Sequence, residues 1–150
     1  MSKIRITKSF RFEMAHALAG YDGLCKHVHG HSYELLVTVI GEPLSDSNSP
    51  KLGMVMDFGD LKAIVKKQIV DRFDHALVVS EQSKDLIPVG NLDLFGKVVV
   101  VSWQPSSENF LIYFASAIRD YLPHSVALHS LRLHETATSY DEWFASDKQD

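Results

Sequence analysis

Seven residues, Cys25-Lys26-His27-Val28-His29-Gly30-His31, hold a thiol and three imidazoles, and the chain has no second cysteine. An extended chain sends alternate side chains to one face, so a strand here would turn His29 and His31 the same way. Gly30 between them lets backbone or ligand approach closely. Zinc favours nitrogen and sulfur ligands in a tetrahedral array, and two imidazoles on one face make half of such a site. The other reading of the stretch is a histidine-rich turn that binds nothing. A third donor is available at His16, which closes Phe10-Arg11-Phe12-Glu13-Met14-Ala15-His16. Ile4, Ile6, Phe10, Phe12 and Met14 share its face, broken only by Lys8. A buried imidazole needs partners for its ring nitrogens, which backbone or a metal can supply. Three protein ligands with a fourth position open describe catalytic zinc, whereas closed structural sites usually draw on more cysteine than this chain has. Cys25 either fills space or reacts, and Lys26 and His27 are not the apolar neighbours of an inert thiol.

Two further places hold chemistry. In Phe73-Asp74-His75 a carboxylate adjoins an imidazole that it could orient for proton transfer, unless the two point apart. In the segment ending Leu131-Arg132-Leu133-His134-Glu135-Thr136, strand parity puts Glu135 on the face of two leucines. A carboxylate there must be paired, exposed at the strand end or ready for a ligand.

The elements that would position these groups can be read from periodicity. Lys3–Ala15 alternates as a strand, Leu18–Lys26 is a glycine-containing loop that delivers Cys25, and Ser32–Gly41 is a second strand. Pairing these strands as an antiparallel hairpin would bring His16 close to His29 and His31. Asp57 reads as the N-cap of a helix over about Asp60–Arg72, with Leu61, Ile64, Val65, Gln68 and Ile69 as its core stripe. The stretch Val79–Gly96 is mixed, and Lys97–Trp103, with four consecutive valines, reads as a strand buried on both faces. Ser106 or Ser107 caps a second helix with Leu111, Phe114, Ala115 and Ile118 inward, ended by Pro123. Val126–Thr136 is the last strand, and Tyr140–Asp150 reads as a loose terminal cover. The order β-β-α-β-α-β, or β-β-α-α-β-β, describes an α+β fold, an antiparallel sheet with two helices packed on one face. Its open edges invite assembly.

Composition sets the bounds. With 150 residues and 45% apolar content, one domain over 1–150 can fill a single core. A net charge of −4 argues against nucleic acid as a partner, since such binders carry a dominant basic stripe. No apolar run approaches the roughly 18 residues needed to span a membrane. The absence of a signal-peptide pattern and the single cysteine lead to an expectation of a reducing cytoplasm.

Six short stretches in order carry a resemblance: Phe12-Glu13-Met14-Ala15-His16, Cys25-x-x-x-His29-Gly30-His31, Gly53-Met54-Val55-Met56-Asp57-Phe58, Phe73-Asp74-His75, Pro105-Ser106-Ser107-Glu108-Asn109 and His134-Glu135-Thr136. On these the chain resembles the 6-pyruvoyltetrahydropterin synthase and 6-carboxytetrahydropterin synthase family, of the tunnelling fold. The resemblance implies Zn2+ held by His16, His29 and His31. It makes Cys25 the general base, and Asp74 and His75 its proton-relay partners from a neighbouring subunit. It also implies that Glu135 anchors the pterin ring. Such proteins assemble as homohexamers, dimers of trimers whose sheets join into a barrel with active sites at subunit interfaces. The short gap from Cys25 to His29 resembles the queuosine-pathway branch. That branch implies 6-carboxy-5,6,7,8-tetrahydropterin synthase, a lyase converting 7,8-dihydroneopterin triphosphate to 6-carboxytetrahydropterin, acetaldehyde and triphosphate. The alternatives are the pyruvoyl-forming biopterin branch and a non-catalytic zinc-stabilised pterin-binding module. A cupin-type metal site is a further one, but it would need Glu34 on the face of His31, which strand parity denies. Ser106 departs from the threonine common in the family, and both the 79–103 segment and the tail after Thr136 are longer than in compact members. No residue is assigned to the triphosphate.

Overall fold

The computed structural model describes residues 1–87 and 92–147. In chain order the strands are β1 (Ile4–His16), β2 (His29–Gly41), β3 (Ala76–Ser80), β4 (Lys97–Val101), β5 (Val126–Thr136) and β6 (Ser139–Phe144). The helices are α1 (Phe58–Val65), α2 (Asp71–Phe73), α3 (Leu92–Phe95) and α4 (Ser107–Arg119). The strands form one six-stranded sheet in the order β4-β3-β1-β2-β5-β6.

The hairpin of β1 and β2 is its centre. It runs in unbroken antiparallel register from Ile4 opposite Gly41 to His16 opposite His29. Alternation decides which side faces inward: Phe10, Phe12, Met14 and His16 of β1 and Tyr33, Leu35, Val37 and Val39 of β2 are buried. A slip by one residue would turn this whole set to the opposite side. Helices cover that side, so the α+β expectation holds.

The first helical segment continues from α1 through a π turn, Lys66–Val70, into α2. Its buried residues Leu61, Val65, Ile69 and Phe73 recur every four positions. In a 3.6-residue helix that spacing drifts around the axis, and the wider π turn brings it back toward the sheet. Asp57 caps α1 as expected, its Oδ1 accepting from the Gly59 N–H at 2.6 Å. Ser106 caps α4 by accepting from the Asn109 N–H at 3.3 Å, and Phe110, Leu111, Phe114, Ala115 and Ile118 face inward. Side chains from both helical segments and the sheet make one core cluster.

The structure corrects four readings. The valine run is not buried on both faces: β4 is an outer strand, with Val98 37% and Val100 41% exposed. Four valines reflect strand preference, and only a strand with neighbours on both sides can be buried throughout. That strand is β3, buried at all five positions and read from sequence only as part of a motif and a mixed stretch. Both β3 and β4 run parallel to their neighbours, so the antiparallel β1, β2, β5 and β6 carry a parallel pair at one side. Parallel neighbours need a crossover, which accounts for the long connection from β3 to β4. Finally, Tyr140–Asp150 is not a loose cover. Its first part lies in β6, paired antiparallel with β5, while 148–150 lie outside the described residues. The order is therefore β-β-α-β-β-α-β-β, leaving aside the short α3.

Candidate metal and substrate site

His16 ends β1 and His29 begins β2, so the register that pairs them also sets their imidazoles side by side, with ring centroids 4.5 Å apart. His31, two residues on, has the same parity and lies 5.3 Å from His16 and 5.0 Å from His29. One donor atom from each of the three lies within 4.8 Å of the others. Two of the outer nitrogens are tied down. His16 Nδ1 is 2.6 Å from the Pro105 carbonyl and His29 Nδ1 is 2.7 Å from the His27 carbonyl. A carbonyl only accepts, so each Nδ1 donates and each Nε2 keeps its lone pair. The Nε2 atoms of all three residues are buried with no hydrogen-bond partner among the described residues. Burial holds His16 below the usual imidazole range, against the opposing pull of the Pro105 carbonyl and Glu135. Burial lowers His31 as well, more than Glu135 raises it. Three convergent Nε2 atoms without partners, with the second nitrogens of His16 and His29 fixed by carbonyls, fit a divalent metal ion with nitrogen preference.

Beside this cluster, Glu135 Oε1 lies 3.4 Å from His31 Nε2. The contact is an ion pair only when His31 is protonated, which its burial opposes and Glu135 favours. A cavity of about 730 Å³ opens here, lined by His31, Tyr33, Glu135 and Thr136 among others. Glu135 stands one residue before the end of β5 and lines this cavity.

Cys25 sits half-buried in a single turn, Leu24–Lys26, on the loop joining β1 to β2. Backbone bonds hold this turn: Leu18 N–H donates to the Cys25 carbonyl at 3.0 Å and His27 N–H to the Leu24 carbonyl at 3.1 Å. Tyr33 lies among these groups. Burial first, then the negative charges of Glu135 and Cys25, push its phenol well above the ordinary range.

Asp74 and His75 are not brought to Cys25 within one chain. Asp74 Oδ1 accepts from the Glu13 N–H at 2.9 Å and lies 3.0 Å from His75 Nδ1. The Glu13 N–H, aided by His75, holds the Asp74 carboxyl below its usual range. His75 takes a left-handed φ of 62°, fixed by its N–H donating to the Glu13 carbonyl at 2.6 Å. Its side chain is 78% exposed and lines a cavity of about 460 Å³ with Glu13, Ala15, Gly30, His31 and Ser32. No hydrogen bond or ion pair among the described residues joins this pair to Cys25 or to the three imidazoles. Gly30 also lines that cavity. A Cβ there would meet the Met14 carbonyl at 3.5 Å, an ordinary contact, so strand packing alone does not require glycine. Glu34 pairs with Arg11 at 3.0 Å on the uncovered face, away from the imidazoles, which removes the cupin reading.

Comparison with known proteins decides the family. The sequence model of one family, described as 6-pyruvoyl tetrahydropterin synthase, matches residues 5–145. The chain belongs to the 6-pyruvoyl tetrahydropterin synthase family. Within it, a 6-carboxy-5,6,7,8-tetrahydropterin synthase of Haemophilus influenzae is 36% identical over 141 residues, 93% of this chain and 97% of that protein. A protein of the same description from Synechocystis is 30% identical, covering 93% of this chain and 92% of its own length. The family fold is equally plain. The 6-pyruvoyl tetrahydropterin synthase of Caenorhabditis elegans superposes with a TM-score of 0.70 at 23% identity, over 97% of both chains. An uncharacterised protein of Wolinella succinogenes reaches 0.80 at 20% identity, covering 97% of this chain and 99% of its own. In those terms the sheet described above is the tunnelling-fold sheet, not closed within one chain.

The site also contains what the sequence reading passed over. The Pro105 carbonyl orients His16 across 89 positions, a contact no local pattern announces. Tyr33 shares its strand parity with His29 and His31, and nothing else in the local sequence marks it.

Proposed function

We propose that the chain acts as one catalytic domain, a 6-carboxy-5,6,7,8-tetrahydropterin synthase with Zn2+ bound by His16, His29 and His31. Its substrate would be 7,8-dihydroneopterin triphosphate, and its products 6-carboxytetrahydropterin, acetaldehyde and triphosphate, with water supplying the second carboxylate oxygen. The observation that carries this reading is the convergence of three bare Nε2 atoms, with the Glu135 carboxylate 3.4 Å from that of His31. The Haemophilus and Synechocystis proteins support the branch, as does the short spacing from Cys25 to His29.

Each side chain has a part that its position allows. His16, His29 and His31 hold the ion, and a bound zinc supplies Lewis acidity toward oxygens of the substrate side chain. Glu135 accepts from the adjacent N–H groups of the aminopyrimidine ring, a match that suits a two-oxygen acceptor. Cys25 removes a carbon-bound proton from the side chain held against the cluster. Electrons then pass from side chain to ring within the substrate, so no nicotinamide or flavin is called for. His75 moves a proton on the other side, its ring oriented by Asp74. The test is product analysis with dihydroneopterin triphosphate: acetaldehyde and triphosphate should appear together with the carboxylated pterin. A 6-pyruvoyl product without carbon–carbon cleavage would assign the biopterin branch instead.

That no hydrogen bond or ion pair among the described residues links Asp74 or His75 to Cys25 supports a second part of the proposal. They serve a neighbouring copy's site in a homohexamer built through the unpaired sheet edges, working in the cytoplasm. No helix among the described residues is long and apolar enough to cross a membrane. Cys25→Ala and His75→Ala chains should each be inactive alone. Refolded together, they should recover activity toward about a quarter of wild type, the share of sites that receive both intact groups in a random symmetric assembly. Mixtures as inactive as the parents would show that each site uses residues of one chain.

A further inference from the structure

The phenol of Tyr33 is the polar group at this site that the reaction scheme leaves without a part. Its residue is only 1% exposed, yet its hydroxyl has no hydrogen-bond partner among the described residues. The ring cannot turn aside to find one. It is stacked on Phe12 at 5.6 Å, and it meets His31 edge-on at 5.5 Å and Phe110 at 6.4 Å. A buried hydroxyl left unpaired is costly, and phenylalanine would suit the same aromatic cluster without that cost. Tyr33 lines the cavity that also holds His31 and Glu135. A phenol can donate as well as accept, and this one has no acceptor among the described residues.

We infer that Tyr33 is a substrate-positioning residue whose hydroxyl donates to an oxygen of the pterin's three-carbon side chain, between Glu135 and the three imidazoles. The inference rests on the pterin reading of the cavity and adds a contact that discriminates the hydroxylated side chain from the bare ring. Ring recognition belongs to Glu135; the Tyr33 contact exists only when a side-chain oxygen is present.

The test uses metal-loaded full-length protein and two fluorescent, unreactive pterins: neopterin, which carries the hydroxylated side chain, and 6-methylpterin, which lacks it. Tyr33→Phe should bind neopterin about tenfold more weakly, the worth of one good hydrogen bond, and 6-methylpterin as wild type does. Its metal content should be unchanged, and its melting temperature equal to wild type or higher, because an orphaned hydroxyl has been removed. Equal losses for both pterins, or none for neopterin, would overturn the assignment. So would a lower melting temperature with unaltered neopterin affinity, which would show that the hydroxyl bonds within the protein. Wild-type protein that binds neither pterin would refute the pterin reading itself, and this contact with it.

Discussion

His29→Ala should leave a folded protein without its metal and with turnover lowered on the order of a thousandfold, the rate equivalent of several kcal/mol of lost Lewis-acid stabilisation. His29 is the sharpest of the three positions to test. His16 is 1% exposed and bonded to Pro105, so its loss also strips a buried contact from the core. His31 faces Glu135, so its loss would disturb a second functional group. His29 is half-buried, and its one ring hydrogen bond is to the His27 carbonyl two residues away. The fold should survive, with unchanged circular dichroism. Elemental analysis of the purified variant should find well under one zinc per chain where wild type carries close to one. A variant that retains stoichiometric zinc and full turnover would mean that the three imidazoles are packed for structure alone.

Cys25→Ala separates catalysis from binding. The turn that carries Cys25 is held by backbone bonds, none of which uses the thiol. The variant should therefore keep its fold, its zinc and its affinity for neopterin. Removing a general base costs about 10²–10⁴ in rate, and a fall in kcat of that size, with KM little changed, is the expected result. Proton exchange at the substrate side chain, followed by NMR in deuterated water, should fail in parallel, since it reports the step assigned to the thiol. Turnover equal to wild type would take Cys25 out of the chemistry. A wild-type protein that binds pterins but converts none, with Cys25→Ala indistinguishable from it, would instead fit a zinc-stabilised binding module.

Between them these variants divide the site along its covalent origins. The three-imidazole cluster comes from the paired ends of β1 and β2, and the thiol from the loop that joins them. Both lie within one local hairpin. Glu135 comes from β5 and the Pro105 carbonyl from the approach to α4, each more than 70 positions beyond His31. Asp74 and His75 are held by the backbone of Glu13, with no bond among the described residues to Cys25 or the imidazoles. That separation is what the mixing experiment reads.

What the amino-acid order determined by itself was everything that follows from period and proximity. Period-two alternation placed Phe12, Met14 and His16 on one face, and Tyr33 and Leu35 on the same face as His31. Side-chain direction along a strand is a local property, so the three-imidazole cluster was legible once a hairpin was assumed. Capping was legible at Asp57, and at Ser106 or Ser107, for the same reason, since a cap bonds only to its own first turn. The family followed from six short stretches in order. What only the tertiary structure decided was neighbourhood. Whether a run of valines is covered on one side or two depends on which strands flank it, and β4 has a partner on one side only. The identity of β3 as the fully buried strand, and of β6 as a sixth strand, depends on pairing partners far away in sequence. The second nitrogen of His16 and the lone hydroxyl of Tyr33 have meaning only when surrounding atoms are counted. Hydrogen-bond satisfaction is a sum over contacts in space, and residues distant in the chain supply most of them.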